Sequence, residues 1–234
     1  MKKVAIMQPY FFPYIGYFQL MHAVDLFIVY DNIEYTKKGW INRNRILLNG
    51  KETYLTLPLK KDSDYLEVKD RLLAENWQTD RIKMLNRIKE AYRKAPQFDT
   101  IFPFVEQCLL FEKTNLFDFL FNSLKITRQV LGIQTEFRIA SSIPVDHSLK
   151  AEKKVMALCK AVGAGVYTNP IGGTGLYNKE TFGKEGLRLY FLKTGDVRYS
   201  RGAQDFIPNL SILDVLMFTP PEMIKEMLDK YQLT

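Results

Sequence analysis

The chain has 234 residues, 47% of them hydrophobic and 25% charged, which is enough to bury a core unaided and too apolar for long disorder. No apolar run reaches the roughly 18 residues of a membrane span, the opening residues lack the small-residue cleavage pattern of a signal peptide, and two cysteines exclude a disulfide framework or a Cys-rich zinc site. A formal charge of +7 favours anionic partners: nucleic acid, a nucleotide-linked metabolite or an anionic membrane surface.

Residues 3–8, KVAIMQ, form a short apolar run ended by Pro9 and predict a buried first strand. Residues 16–23 predict a short helix, and residues 25–31, DLFIVYD, a second strand; together they suit a parallel βαβ unit. Asn49-Gly50 between RILL and KETYLTLPL predicts a hairpin over 45–59, and residues 66–73 predict a further extended piece. Residues 80–93 predict a helix with Ile82, Leu85, Ile88 and Tyr92 on one face. Two more helices are expected over 102–111 and 116–131, the latter closed by Gly132.

Alternation then returns, with strands over 135–140, 166–168 and 187–192 and helices over 149–162 and 179–185. Cys108 and Cys159 fall in apolar helical contexts, so they are expected as reduced core thiols, which with the missing leader points to the cytoplasm. Ser211–Phe218 predicts a short helix. Thr219-Pro-Pro-Glu222 predicts the start of the last helix, with Thr219 as its cap. The sum is a single α/β domain over 1–234 with a Rossmann-like, mostly parallel sheet. A β-hairpin (about 40–73) and a helical segment (about 78–132) are inserted between its halves.

In an open parallel sheet, ligands bind beyond the carboxyl ends of the strands. The residues that follow the expected strands are Gln8-Pro9-Tyr10, Asp31-Asn32, Ser141-Ser142 and the loop Asn169-Pro-Ile-Gly-Gly-Thr-Gly175. One pocket joining Gln8, Asp31 and the Gly172 turn is the expectation. Closely spaced glycines before a helix let backbone N–H groups approach an anion, although Gly172-Gly173 matches neither the Walker nor the dinucleotide fingerprint. Tyr35–Arg45, YTKKGWINRNR, combines cations, a Trp and two Asn, a set suited to phosphate or carboxylate with a stacking face. His22 and His147 have no metal-ligand spacing, so no metal site is expected. Basic residues are spread along the chain with no block, and no RNA-binding signature is present.

The segments QPYFFPYIGY (8–17), VYDNIEYTKKGWINRNRI (29–46), YRKAP, VGAGVYTNPIGG and FIPNLSILDVLMF resemble, in order and nearly end to end, the WbqC-like protein family. The resemblance singles out Gln8, Pro9, Tyr10, Pro13, Gly16 and Tyr17, then Asp31, Lys38, Trp40, Asn42, Arg43, Asn44 and Arg45. From the later segments it singles out Asn169, Pro170, Gly172 and Gly173, then Phe206, Pro208, Ser211 and Asp214. It implies a role in O-antigen and related surface polysaccharide synthesis, with transfer of an amino acid, glycine in particular, to a sugar. The implied substrate is a small anion such as a nucleotide sugar, and nucleic acid is not expected except a charged tRNA as donor. It implies no particular cofactor. FPYIGY also echoes the phosphate-binding loop of nucleotidyltransferases, but Tyr14 and Tyr17 stand where that family has its histidines.

Acyl transfer needs a base for the acceptor and donors for the tetrahedral oxyanion. Asp31 and Gln8 are the catalytic candidates, with Tyr10, Tyr17, Lys38, Trp40, Asn42, Arg43, Asn44, Arg45, Asn169, Gly172 and Gly173 binding substrate. A nucleotidyltransferase-like enzyme and a noncatalytic nucleotide-sugar-binding protein are the alternatives.

Overall fold

A computed structural model describes residues 1–202 and 206–234. In chain order the elements are β1 (Lys3–Met7), α1 (Ile15–His22), β2 (Leu26–Val29), β3 (Arg43–Leu48), β4 (Lys51–Thr56), α2 (Trp77–Tyr92), α3 (Phe98–Leu109) and α4 (Leu116–Val130). There follow β5 (Glu136–Ile139), α5 (Ala151–Ala161), β6 (Val166–Pro170), α6 (Lys179–Lys184), β7 (Arg188–Thr194), α7 (Ile212–Phe218), α8 (Pro221–Leu228) and β8 (Tyr231–Leu233).

The main sheet has the order β5-β2-β1-β6-β7-β8. All its pairings are parallel except that of β7 with β8. This is the α/β, Rossmann-like arrangement, with the strand order reversing beside β1. Crossovers leave β1 toward β2 on one side, and the chain returns to β6 on the other. The parallel strands end on one rim, where such sheets hold their ligands. β3 and β4 make the separate antiparallel hairpin. Asn49 and Gly50 turn it, both in the left-handed region with φ of 52° and 74°, as a two-residue turn of this hand requires.

Period-two alternation divides the core into two layers. Ala5, Phe27 and Val29 face the larger one, built on α1, α2, α3, α4, α7 and α8 and the hairpin. Val4, Ile6, Leu26 and Ile28 face the smaller one, covered by α5 and α6. Cys108 lies in the first layer and Cys159 in the second; both are free and buried. Burial pushes the Cys159 thiol up to about 12 and the Cys108 thiol higher still.

Four local expectations change. Residues 66–73 do not form a strand: a short 3-10 turn, Val68–Asp70, separates isolated bridges from Glu67 to Glu34 and from Leu73 to Leu59. In α2 the buried stripe is Trp77, Met84, Leu85, Ile88 and Tyr92, so Ile82 is exposed; the indole at the helix start sets the phase. Thr219 does not cap α8 but closes α7, its N–H donating to the Val215 carbonyl, and Pro220 leads into α8. β8 was not expected, its three residues being too short to signal alternation; it pairs with the edge of β7.

Candidate functional site

The first loop, residues 8–14, is bent by Phe12, whose φ of 41° puts a buried aromatic residue in the left-handed region. Two side chains hold that bend. Asn44 of β3 donates to the carbonyls of Phe11 (3.2 Å) and Phe12 (2.8 Å), and the Ser211 hydroxyl donates to the Phe12 carbonyl at 2.9 Å. Backbone bonds add Ser211 N to the Arg45 carbonyl and Ile212 N to the Pro13 carbonyl. Three separated stretches of sequence are thereby fixed against one another.

A cleft of about 600 Å³ opens beside this junction. Tyr10, Tyr14, Trp40, Tyr199 and Phe206 give it aromatic walls, and Ile171 of the Gly172 turn reaches its edge. Arg45 and Lys193 bring cations and Asp196 a carboxylate. The Arg45 guanidinium is braced by Glu52 at 2.7 Å and the Pro208 carbonyl at 3.1 Å. Burial raises the pKa of both Tyr10 and Tyr14, so these phenols of the cleft wall stay protonated at neutral pH. Gly16 permits the close approach of Tyr14: a β-carbon there would overlap the Tyr14 ring and the Thr194 hydroxyl.

A second cleft, of about 610 Å³, lies where β1 and β2 end near the start of α5. Gln8, Tyr30, Asn32, Glu67, Lys154 and Tyr177 are among its walls. Lys154 is buried, and its ammonium donates to the carbonyls of Asn32 (3.2 Å) and His147 (3.3 Å) and sits 5.2 Å from the Tyr30 ring centre. Desolvation lowers its pKa below the ordinary 10.5. His147 is held between Asn32 and the Ile143 carbonyl. The carbonyl accepts from Nε2–H, which leaves Nδ1 to accept from the Asn32 amide.

Other expected site residues serve the frame. Asp31 lies on the rim but lines neither cleft: it is buried, one carboxylate oxygen accepting from Ser141 N–H (2.9 Å) and the other from the Ser141 hydroxyl (2.5 Å). Asn42 joins the Tyr35 hydroxyl to the Leu57 carbonyl. Arg43 donates to the Gly39 and Lys38 carbonyls and stacks over Tyr54 at 5.0 Å, closing its own loop. Lys38 supplies one of those carbonyls from a left-handed conformation, φ 62°. Tyr17 is buried, its hydroxyl donating to the Gln8 carbonyl at 2.9 Å.

Asn169 accepts from the Tyr167 hydroxyl, and its amide occupies the space a β-carbon on Gly173 would need. Gly172 is exposed and lines neither cleft, so the expected single pocket of Gln8, Asp31 and Gly172 is in fact two clefts on one rim, with Gly172 outside both. Asp214 is fully buried, paired with Arg201 at 2.9 Å and accepting from Tyr92 and Tyr199. Among the described residues no His/Cys/Asp/Glu group could hold a metal ion, and no helix is long and apolar enough to cross a membrane.

Sequence reasoning missed Lys154 and Asp196. Lys154 carries a signal, since it precedes Val155 and lies four residues before Leu158, on the buried face of α5. Asp196 follows β7 and obeys the same rule that singled out Asp31.

An uncharacterized protein, Rv1507c, of Mycobacterium tuberculosis (strain ATCC 25618 / H37Rv) is 31% identical over 220 residues, spanning 92% of this chain and 93% of that protein. No solved structure matches the chain. The model of one family matches residues 8–226, a range that takes in the residues of both clefts, and the chain therefore belongs to the WbqC-like protein family.

Proposed function

We propose that the aromatic cleft holds the sugar of a nucleotide-linked or lipid-linked substrate, and that the protein transfers an amino-acid or acyl group onto it during surface polysaccharide synthesis. The observation that carries this reading is the meeting of four separated segments at the aromatic cleft: Tyr10, Trp40 with Arg45, Ile171, and Phe206 with Pro208. Aromatic faces pack against the C–H faces of a sugar ring, and a few convergent polar groups then fix its orientation. Arg45, already aligned by Glu52 and Pro208, is pre-ordered for a phosphate or carboxylate on the ligand. The Tyr10 and Tyr14 hydroxyls supply protons to developing oxyanion charge. Asp196, an exposed carboxylate of the cleft wall paired with Arg198 at 3.0 Å, takes the part of acceptor-orienting group, while Asp31 holds Ser141 on the rim.

Titration with UDP- and TDP-sugars, read by the fluorescence of half-exposed Trp40, tests the binding half of this reading. Saturable quenching is expected, weakened at least about tenfold in Arg45→Ala and at high salt. Mass-spectrometric detection of an amino-acylated sugar tests the transfer half. Absence of binding by every nucleotide sugar and lipid-linked sugar tried would overturn the reading.

A further inference from the structure

We propose that the second cleft binds the anionic group of a separate small ligand, a carboxylate or a phosphate, between Lys154, Lys150 and the first turn of α5. This site is independent of the sugar cleft and of any transfer reaction there. Lys154 is 4% exposed, yet among the described residues no carboxylate lies within ion-pair distance of its ammonium. Two backbone carbonyls take two of its three protons, and the Tyr30 ring lies 5.2 Å away. Glu67 and Asp31 favour the Lys154 charge from a distance, but with no carboxylate in contact desolvation still outweighs them, and a ligand anion would offset more of that cost.

A second observation points to a ligand that carries a donor, such as a hydroxyl, beside its anionic group. Asn32, also 4% exposed and in the cleft wall, has its amide nitrogen on His147 while its Oδ1 has no hydrogen-bond partner. Such an acceptor is a cost that a donor group on a bound ligand would remove. α5 contributes a third element. Its N-terminal residue before the first turn, Lys150, makes no side-chain cap and lines the cleft, and the helix field there favours negative charge; Glu152 of the same turn is taken up by the Asn178 N–H at 2.9 Å. The carboxylates of the cleft are Glu34 and Glu67, joined by an isolated backbone bridge, and Glu67 pairs with Lys69 at 3.0 Å. At the mouth, Tyr65 and Leu176 stand 81% and 70% exposed on opposite chain segments, apolar lips for a ligand to cover.

The test is amide NMR of the full-length protein at low salt, titrated separately with inorganic phosphate and with acetate. Saturable shifts are expected at Ala151–Lys154 and at the Asn32 side-chain amide. Saturation by phosphate alone assigns a phosphate-bearing ligand, by acetate alone a carboxylate, and by both a general anion site. Lys154→Met and Lys150→Glu should each weaken the apparent affinity at least tenfold, whereas Trp40→Ala, in the other cleft, should leave it unchanged. Should Lys154→Met fail to fold, Lys150→Glu decides alone, because Lys150 is exposed. No saturable shift with either anion, or unchanged affinity in Lys150→Glu, overturns the proposal. A failure of sugar binding with intact anion shifts would count against the sugar cleft only.

Discussion

Asp31 lies two residues beyond β2, a four-residue strand in which every residue is buried. Its carboxylate turns back to Ser141, at the end of the neighbouring strand β5, and binds both the amide and the hydroxyl there. A charged acceptor serving two donors in a buried place is worth more than a neutral hydrogen bond. Asp31→Asn keeps the shape and one good acceptor, so a loss of about 1–2 kcal/mol in unfolding free energy is expected, measured by urea denaturation. A variant with unchanged stability and abolished transfer would return Asp31 to the chemistry. Both partners, Asp31 and Ser141, are legible in the sequence as residues following parallel strands. Their mutual bond is not, because one sequence shows which residues reach a rim and not which of them turn toward each other. Lys154 is hidden for a related reason: one of the three lysines of α5 reads as part of a solvated face until the phase of the helix is known.

The junction of the first loop, β3 and the start of α7 behaves as one unit. Asn44 is its centre, giving two donors to the 11–12 carbonyls and accepting from its own neighbour Arg45 N at 2.8 Å. Asn44→Ala leaves buried carbonyls with fewer donors and releases a residue held at positive φ. Its expected cost is about 1–3 kcal/mol by thermal or urea unfolding, together with weaker sugar binding, since Tyr10 and Pro13 lose their setting. Ser211→Ala should cost less, because Asn44 still holds the Phe12 carbonyl. Asn44 kept at wild-type stability after truncation would show that the bend is fixed by packing of the Phe12 ring alone. At this scale the sequence is readable wherever a local rule applies: the Asn49-Gly50 turn, Gly132 after α4, Ser211 before α7. It is silent where pairing is made by distant chain, as in the 66–73 stretch, which takes its place from Ile33, Leu59 and Thr114 through backbone bonds.

For the whole molecule, strand–helix alternation is enough to reach a mostly parallel sheet with a hairpin and a helical segment between its halves. The division of the rim into two clefts is beyond that reading, since it depends on which loop rises over which strand end. The sheet itself separates the two core layers, and each layer encloses a single thiol. Native Cys108 and Cys159 are shielded and protonated, so alkylation at pH 8 proceeds only when the surrounding layer opens. The pair is thus a built-in stopwatch on cooperativity. Timed iodoacetamide labelling, resolved peptide by peptide, reports separately on the helical layer around α3 and on the α5–α6 layer. Equal protection of the two thiols would mean that the layers come apart as one. Faster labelling of Cys159 is the expected result, because its layer is covered by two helices rather than six, and it would identify the anion-cleft side as the half of the protein that breathes.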